Sequence, residues 1–268
     1  DSTQTDAFEK LMQGELADMV VTDPPYNVAY EGKTKDALTI ENDSMSNDDF
    51  YQFLYDFYTA LSTAVKKGGA IYVWHASSEI INFAKAMVDA GWLLKQQLIW
   101  VKNNIVLGRQ DYQNKHETCL YGWKEGAGHY FTPDRTNTTV IDDKIELKKL
   151  SKADMLKMLQ EIYSDKTKTT VLYCDKPYRN AEHPTMKPIL LIAPLIENSS
   201  KKGWIVLDSF LGSGSTMVAS HQLKRKCYGM ELDESYCEVI VQRMLKLDNS
   251  LKITVNGEDK TQSFLDKI

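Results

Sequence analysis

Residues 205–220 read IVLDSFLGSGSTMVAS. Three aliphatic residues, Ile205 to Leu207, run into Asp208; a turn carrying Gly212 and Gly214 follows, and a helical run opens at Ser215 and Thr216. An apolar run closed by glycines and followed by a helix is a buried strand feeding a helix across a tight βα turn. The glycines let the backbone approach a ligand closely. The free N–H groups and dipole at the helix start favour an anion. Glu231 follows the next strand, Cys227 to Met230, where α/β sheets place the carboxylate that grips a ribose diol. Taken alone, the same residues also describe a tight turn that holds nothing. A dinucleotide is disfavoured, because Met217 stands where the third glycine of GxGxxG would fall.

Outward from this turn, strand and helix signals alternate. Strands are expected at Ala17–Val21, Ala70–Trp74, Leu94–Val101, Thr118–Trp123, Trp204–Leu207 and Cys227–Met230, with a weaker one at Thr170–Tyr173. Asn47 to Val65 puts Phe50, Phe53, Leu54, Phe57, Leu61 and Val65 on one helical face, Ser46 and Asp49 resemble a capping box, and Gly68-Gly69 reads as the stop. Further helices are expected at Ser78–Ala90, with Ile80, Phe83, Ala84 and Met87 inward, at Ser215–Gln222 and at Glu234–Leu247. The pattern implies an α/β fold, a mostly parallel sheet with helices on both faces.

From 131 to 182 polar and charged residues dominate, with one modest amphipathic helix at Lys152–Tyr163. We divide the chain into residues 1–130, an inserted segment 131–182, a returning part of the same domain at 183–248, and a polar tail 249–268 bearing an Asn256-Gly257 turn signal. The 268 residues carry a net charge of −5. Between Lys95 and Lys187 the balance turns positive by four charges, which allows a basic face on an acidic body or an ordinary mixed-charge surface. Cys119, Cys174, Cys227 and Cys237 form no CxxC pair and the five histidines no ligand pattern, so no metal site or disulfide framework is expected and a reducing cytoplasm fits. No run of about 18 apolar residues suggests a membrane span.

The most informative stretch is TDPPYN, residues 22–27, at the end of the first apolar strand. An exocyclic amine on a nucleobase is a poor nucleophile because its lone pair is delocalised into the ring. Two acceptors bonding its two hydrogens favour a pyramidal nitrogen and return the lone pair for attack. Asp23 can supply one through its carboxylate and Pro24 the other through its carbonyl. Pro24 and Pro25 lack N–H donors and fix φ, which stiffens the loop. Tyr26 offers a flat ring on which a base can stack. A rigid strand-end turn without chemistry is the plainer alternative.

With TDPPYN first, a polar insertion next, then HPTMKP at 183–188 and DSFLGSGST at 208–216, the chain resembles the bacterial and phage DNA amino-methyltransferases in the beta arrangement, of the adenine-N6 type. The resemblance spans nearly all of residues 1–247. It implies a Rossmann-like fold with permuted motif order and S-adenosylmethionine as cofactor. By resemblance Phe210, Gly212, Gly214, Ser215 and Thr216 line the cofactor site beside Asp208 and Asp23, with Glu231 on the ribose and Thr185 and Lys187 near the methionine end. Lys187 suits a carboxylate, and Pro188 suits the first turn of the next helix, which Pro194 should kink or shorten. Family members usually place an acidic residue, after a short strand, near the cofactor adenine; Asp1 stands there, and the missing strand makes the start look truncated.

The resemblance also implies a target side. WVKNNIVLGRQDYQNKHETCLYGW, residues 100–123, is similar to the stretch packing near the target base, placing Arg109, Asp111, Tyr112, His116 and Glu117 at or behind its pocket. His75, at the end of a strand on the presumed active face, is a further candidate. Lys144, Lys148, Lys149, Lys152 and Lys157 are candidates for phosphate contacts. The implied partner is duplex DNA with its target base flipped out, together with a homodimer mate. Adenine N6 is favoured over cytosine N4 because the motif begins with Asp and the cytosine enzymes more often begin with Ser. The rivals are a cytosine-N4 enzyme, a dinucleotide-dependent oxidoreductase, which leaves Asp-Pro-Pro-Tyr without a task, and a non-catalytic DNA-binding remnant.

Overall fold

The computed structural model describes residues 1–28, 44–106, 111–133, 171–173 and 187–267. Within them a seven-stranded sheet runs in the order β5-β3-β4-β2-β1-β6-β7. Its strands are β1 (Ala17–Thr22), β2 (Val65–His75), β3 (Trp92–Val106), β4 (Asn114–Lys124), β5 (Val171–Tyr173), β6 (Ile205–Asp208) and β7 (Lys226–Gly229). All neighbours pair in parallel except at β4, which is antiparallel to both β2 and β3. This is the α/β, mostly parallel arrangement expected.

Both faces are covered, which is why the strands read as continuous apolar runs. Side chains alternate across β2: Ile71 and Val73 join one cluster, Ala70, Tyr72 and Trp74 the other. The first cluster is closed by α1 (Thr5–Met12), α2 (Asn47–Thr63) and α3 (Ile80–Asp89), through Phe8, Phe50, Leu54, Phe57 and Phe83. The second is closed by α4 (Ile189–Ser199) and α5 (Ser215–Gln222), through Leu191, Leu195, Ile196 and Ala219. A third, smaller cluster joins α5 to α6 (Glu234–Leu247) through Val218, Ile240 and Met244.

Several expectations shift in detail. Gly68-Gly69 does not stop α2, which ends at Thr63; both glycines lie inside β2. A Cβ on Gly68, at φ +77°, would sit 2.4 Å from the Gly128 carbonyl oxygen, so close backbone approach fixes its identity. Residues 77–79 form a 3₁₀ turn ahead of α3, whose buried residues are Asn82, Phe83, Ala86 and Met87. The short helix α1 was not anticipated. Helix α4 continues through Pro194, and Pro188 sits at its N-cap. Residues 171–173 join the main sheet beside β3; the expected helix at Lys152–Tyr163 lies outside the described residues. In the tail, Asn256 and Gly257, at φ 52° and 85°, link β8 (Thr254–Val255) to β9 (Glu258–Asp259). Positive φ at both central residues is what a tight hairpin with right-handed twist requires. A short helix, α7 (Thr261–Leu265), follows. No helix among the described residues is long and apolar enough to cross a membrane.

Candidate active site

Because β1 and β6 are parallel neighbours, with Val20 opposite Leu207, their carboxyl ends share one rim of the sheet. Asp23 leaves β1 there, and Asp208 opens the glycine turn. Ligands in open α/β sheets bind at this edge.

On the β1 side Pro24 is buried, while Asp23, Pro25 and Tyr26 are partly exposed. Tyr26 donates its phenol to Asp23 Oδ1 at 2.5 Å. Lys187, 164 residues away, donates to Asp23 Oδ2 and, at 3.1 Å, to Tyr26 Oη. Its ammonium is also 3.4 Å from Glu117 Oε2, and Glu117 Oε1 pairs with Lys102. The ammonium lies 5.5 Å from the Tyr26 ring centroid and 5.3 Å from that of Trp74, within cation–π range. Burial alone would pull the Lys187 pKa down, but Asp23 and Glu117 outweigh it and raise it above the usual lysine range. Burial, then the Asp23 and Glu117 charges, push the Tyr26 phenol well above its ordinary range. Lysine therefore stays charged and tyrosine stays a donor.

Asn27 closes this loop from the other end. It sits at φ 55°, where asparagine is better tolerated than most residues. Its amide donates to Met45 O at 3.1 Å and accepts from Met45 N–H at 2.5 Å.

On the β6 side Gly212 and Gly214 adopt φ 52° and 81°. A Cβ on Gly214 would meet Ile240 Cγ1 at 3.0 Å. Glu231 accepts the Gly212 N–H through Oε2 at 2.6 Å and the Asp233 N–H through Oε1 at 3.0 Å. Arg243, on α6, donates to Ser213 O at 2.5 Å and to Ser213 Oγ at 3.0 Å. Phe210 packs against Phe57, ring centroids 5.1 Å apart, and Phe53 at 6.3 Å. Asp208, 4% exposed, has its pKa pushed up to about 6 by burial, with Asp23 adding to the rise and the Phe210 N–H, 3.2 Å from Oδ1, among the groups opposing it. The hydroxyls of Ser209 and Ser215 are buried with no hydrogen-bond partner among the described residues. The first amides of α5 have no intrahelical acceptor. A turn of this kind fits a ligand that brings hydroxyls and a carboxylate of its own.

The remaining sequence candidates fall into four groups. Asp111 and Tyr112 are exposed at the end of the β3–β4 hairpin, Tyr112 at 91%, and His116 is half-buried opposite Val101. His75 is fully buried 5.5 Å from Phe83, with Nδ1 2.9 Å from Ala76 O and its pKa lowered by burial; it is a neutral core group. Asp1 is exposed and accepts from the Thr3 N–H. Thr185, Arg109, Lys144, Lys148, Lys149, Lys152 and Lys157 lie outside the described residues. Sequence reasoning missed Lys102 and Arg243. Only Arg243 carried a signal, a cation one turn from Ile240 and next to Met244 on the inner face of α6.

A family model described as DNA methylase matches residues 17–242. The chain is similar to the DNA adenine methyltransferase YhdJ of Escherichia coli (strain K12), at 26% identity over 88% of this chain and 78% of the relative. Among solved structures, the M1.HpyAVI–SAM complex aligns over 90% of this chain and 93% of that one, with TM-score 0.59 and 22% identity. The cytosine-N4-specific PvuII DNA methyltransferase aligns over 97% and 89%, with TM-score 0.62 and 16% identity.

Proposed function

The chain belongs to the DNA methylase family, and from that premise we propose that it methylates the N6 amine of adenine in duplex DNA, with S-adenosylmethionine as donor. The observation that carries this is the meeting of Asp-Pro-Pro-Tyr and the glycine turn on one rim, at the ends of paired strands. YhdJ, named as a DNA adenine methyltransferase, supports the choice of base. The SAM complex of a protein sharing the fold supports the donor.

Phe210, Gly212, Gly214, Ser215 and Thr216 would hold the cofactor, with Glu231 toward its ribose and Asp208 beneath. When bound, it supplies a methyl group already activated by the sulfonium charge. The protein's part is positioning and electrostatics. The Asp23 carboxylate and the Pro24 carbonyl accept the two amine hydrogens and favour the pyramidal nitrogen that attacks. Asp23 retains acceptor capacity for this, since a carboxylate has about four lone-pair sites and Tyr26 and Lys187 take one each. Tyr26 stacks on the base once it is flipped from the duplex. Asp111 and Tyr112 present the exposed hairpin end toward DNA, with His116 behind them. A homodimer and a cytoplasmic setting accompany this reading.

Incubation with methyl-labelled S-adenosylmethionine and duplex DNA, followed by digestion to nucleosides, tests it. Label is expected in N6-methyl-2′-deoxyadenosine. Label confined to N4-methyl-2′-deoxycytidine would overturn the choice of base and favour a second reading, which the likeness to the cytosine-N4-specific PvuII enzyme supports.

A further inference from the structure

We infer that Lys187 and Glu117 are positioning residues for Asp23, so that the lysine serves the base side of the reaction and leaves the cofactor's carboxylate to other donors. This rests on the function just proposed. The Lys187 side chain is 8% exposed and its ammonium faces Asp23 Oδ2, Tyr26 Oη and Glu117 Oε2. Of the three hydrogens of an ammonium, two go to Asp23 and Tyr26, and the Glu117 carboxylate faces the charge at ion-pair distance, 3.4 Å. The Tyr26 and Trp74 rings fill further directions. An outside carboxylate would have to displace Asp23 or Tyr26, or enter beside Glu117 against the negative charge of two carboxylates.

Asp23 gains a fixed orientation. One of its oxygens is held by Tyr26 and the other by Lys187, so the carboxylate plane, and hence the direction of its remaining lone pairs, is set before a base arrives. Glu117 keeps the lysine in place, itself tethered to Lys102 from β3. The alternating row Lys102, Glu117, Lys187, Asp23 therefore links β3, β4, the segment before α4 and the loop after β1.

The test separates cofactor binding from the chemical step. The Kd of S-adenosylhomocysteine, which keeps the carboxylate and lacks the methyl, is measured by calorimetry for wild type, Lys187→Met, Glu117→Gln and the double variant. Single-turnover transfer is measured at saturating cofactor and DNA. The expected Kd changes are less than about threefold, while transfer falls about 100-fold in Lys187→Met and about 10-fold in Glu117→Gln, the scale of a misplaced reacting group. The double variant should be no slower than Lys187→Met, because Glu117 acts through the lysine. Should Lys187→Met fail to fold, the near-isosteric Glu117→Gln carries the same split between Kd and rate. A tenfold weaker Kd with transfer retained would place Lys187 on the cofactor and overturn the inference, as would fully multiplicative losses in the double variant. Wild type that labels no DNA base would sink the proposed function instead, and the Kd comparison would still decide which side the lysine serves.

Discussion

The carboxyl ends of β1 and β6 lie side by side and are built by opposite means. At the β1 end two prolines remove backbone freedom, and charged side chains from distant segments hold the acceptor Asp23. At the β6 end two glycines at positive φ let the main chain fold tightly, and Glu231 and Arg243 brace that main chain. The contrast follows from the chemistry each end serves. An amine with two hydrogens needs oriented acceptors, which side chains and a stiff carbonyl provide. A ligand with a sugar and a carboxylate needs close backbone approach and free amides, which only glycine and a helix start provide.

If the division holds, damage at the β1 end should strike the rate, and damage at the β6 end should strike affinity. The largest effect is expected from Asp23→Ala. Transfer should fall about 10³-fold, equivalent to about 4 kcal/mol of transition-state stabilisation. The Kd for S-adenosylhomocysteine should change little. Transfer within threefold of wild type would remove Asp23 from the chemistry. The mirror experiment is Gly214→Ala. The new methyl meets Ile240 at 3.0 Å on a backbone at φ +81°, so stability should drop by about 2 kcal/mol and cofactor affinity by at least about tenfold. Unchanged affinity would mean the turn does not touch the cofactor.

Asp208 sharpens the contrast through pH. Its folded pKa, about 6, stands above the ordinary aspartate value of 3.8, so the folded state prefers the protonated form. The stability this adds is full below about pH 4 and is lost as pH rises through about 6. Between about pH 5 and pH 8 wild type should lose about 1–2 kcal/mol that Asp208→Asn does not lose. Urea unfolding of both proteins at the two pH values measures it. Parallel pH dependence would show that Asp208 ionises as freely folded as unfolded.

The two ends also differed in how legibly the sequence announced them. Helices Ser215–Gln222 and Glu234–Leu247 match their expected spans, because local signals set their limits: the Gly214 turn before one, and the Asp233 cap, accepting from Ser235 N–H, before the other. Helix α1 went unseen because only Phe8 and Met12 of its eight residues are buried, too few to mark a period. Gly68-Gly69 was misread because its reason, the Gly128 carbonyl, lies across the fold. Asp23 was legible from its neighbours in sequence, but its partners were not. Lys187 is 164 residues away, and Lys102 meets Glu117 only because β3 and β4 pair. Local chemistry names a reactive group; the contacts that orient it depend on tertiary structure.

The smallest expected effect probes how the β1 end is closed. Asn27 joins its amide to both backbone groups of Met45 and sits at positive φ, so two contributions are combined. Asn27→Ala removes the hydrogen bonds and also forces alanine into a left-handed backbone, for an expected loss of about 2 kcal/mol. Asn27→Gly removes the hydrogen bonds but tolerates the angle, for an expected loss of about 1 kcal/mol. Urea midpoints of the two variants separate the contributions. Because the Asn27 amide bonds to the Met45 backbone rather than to Asp23 or the glycine turn, the S-adenosylhomocysteine Kd should stay within threefold of wild type in both. A glycine variant as stable as wild type would show that the amide adds nothing beyond permitting the turn, leaving the prolines and the Lys187 ion pair to hold the loop.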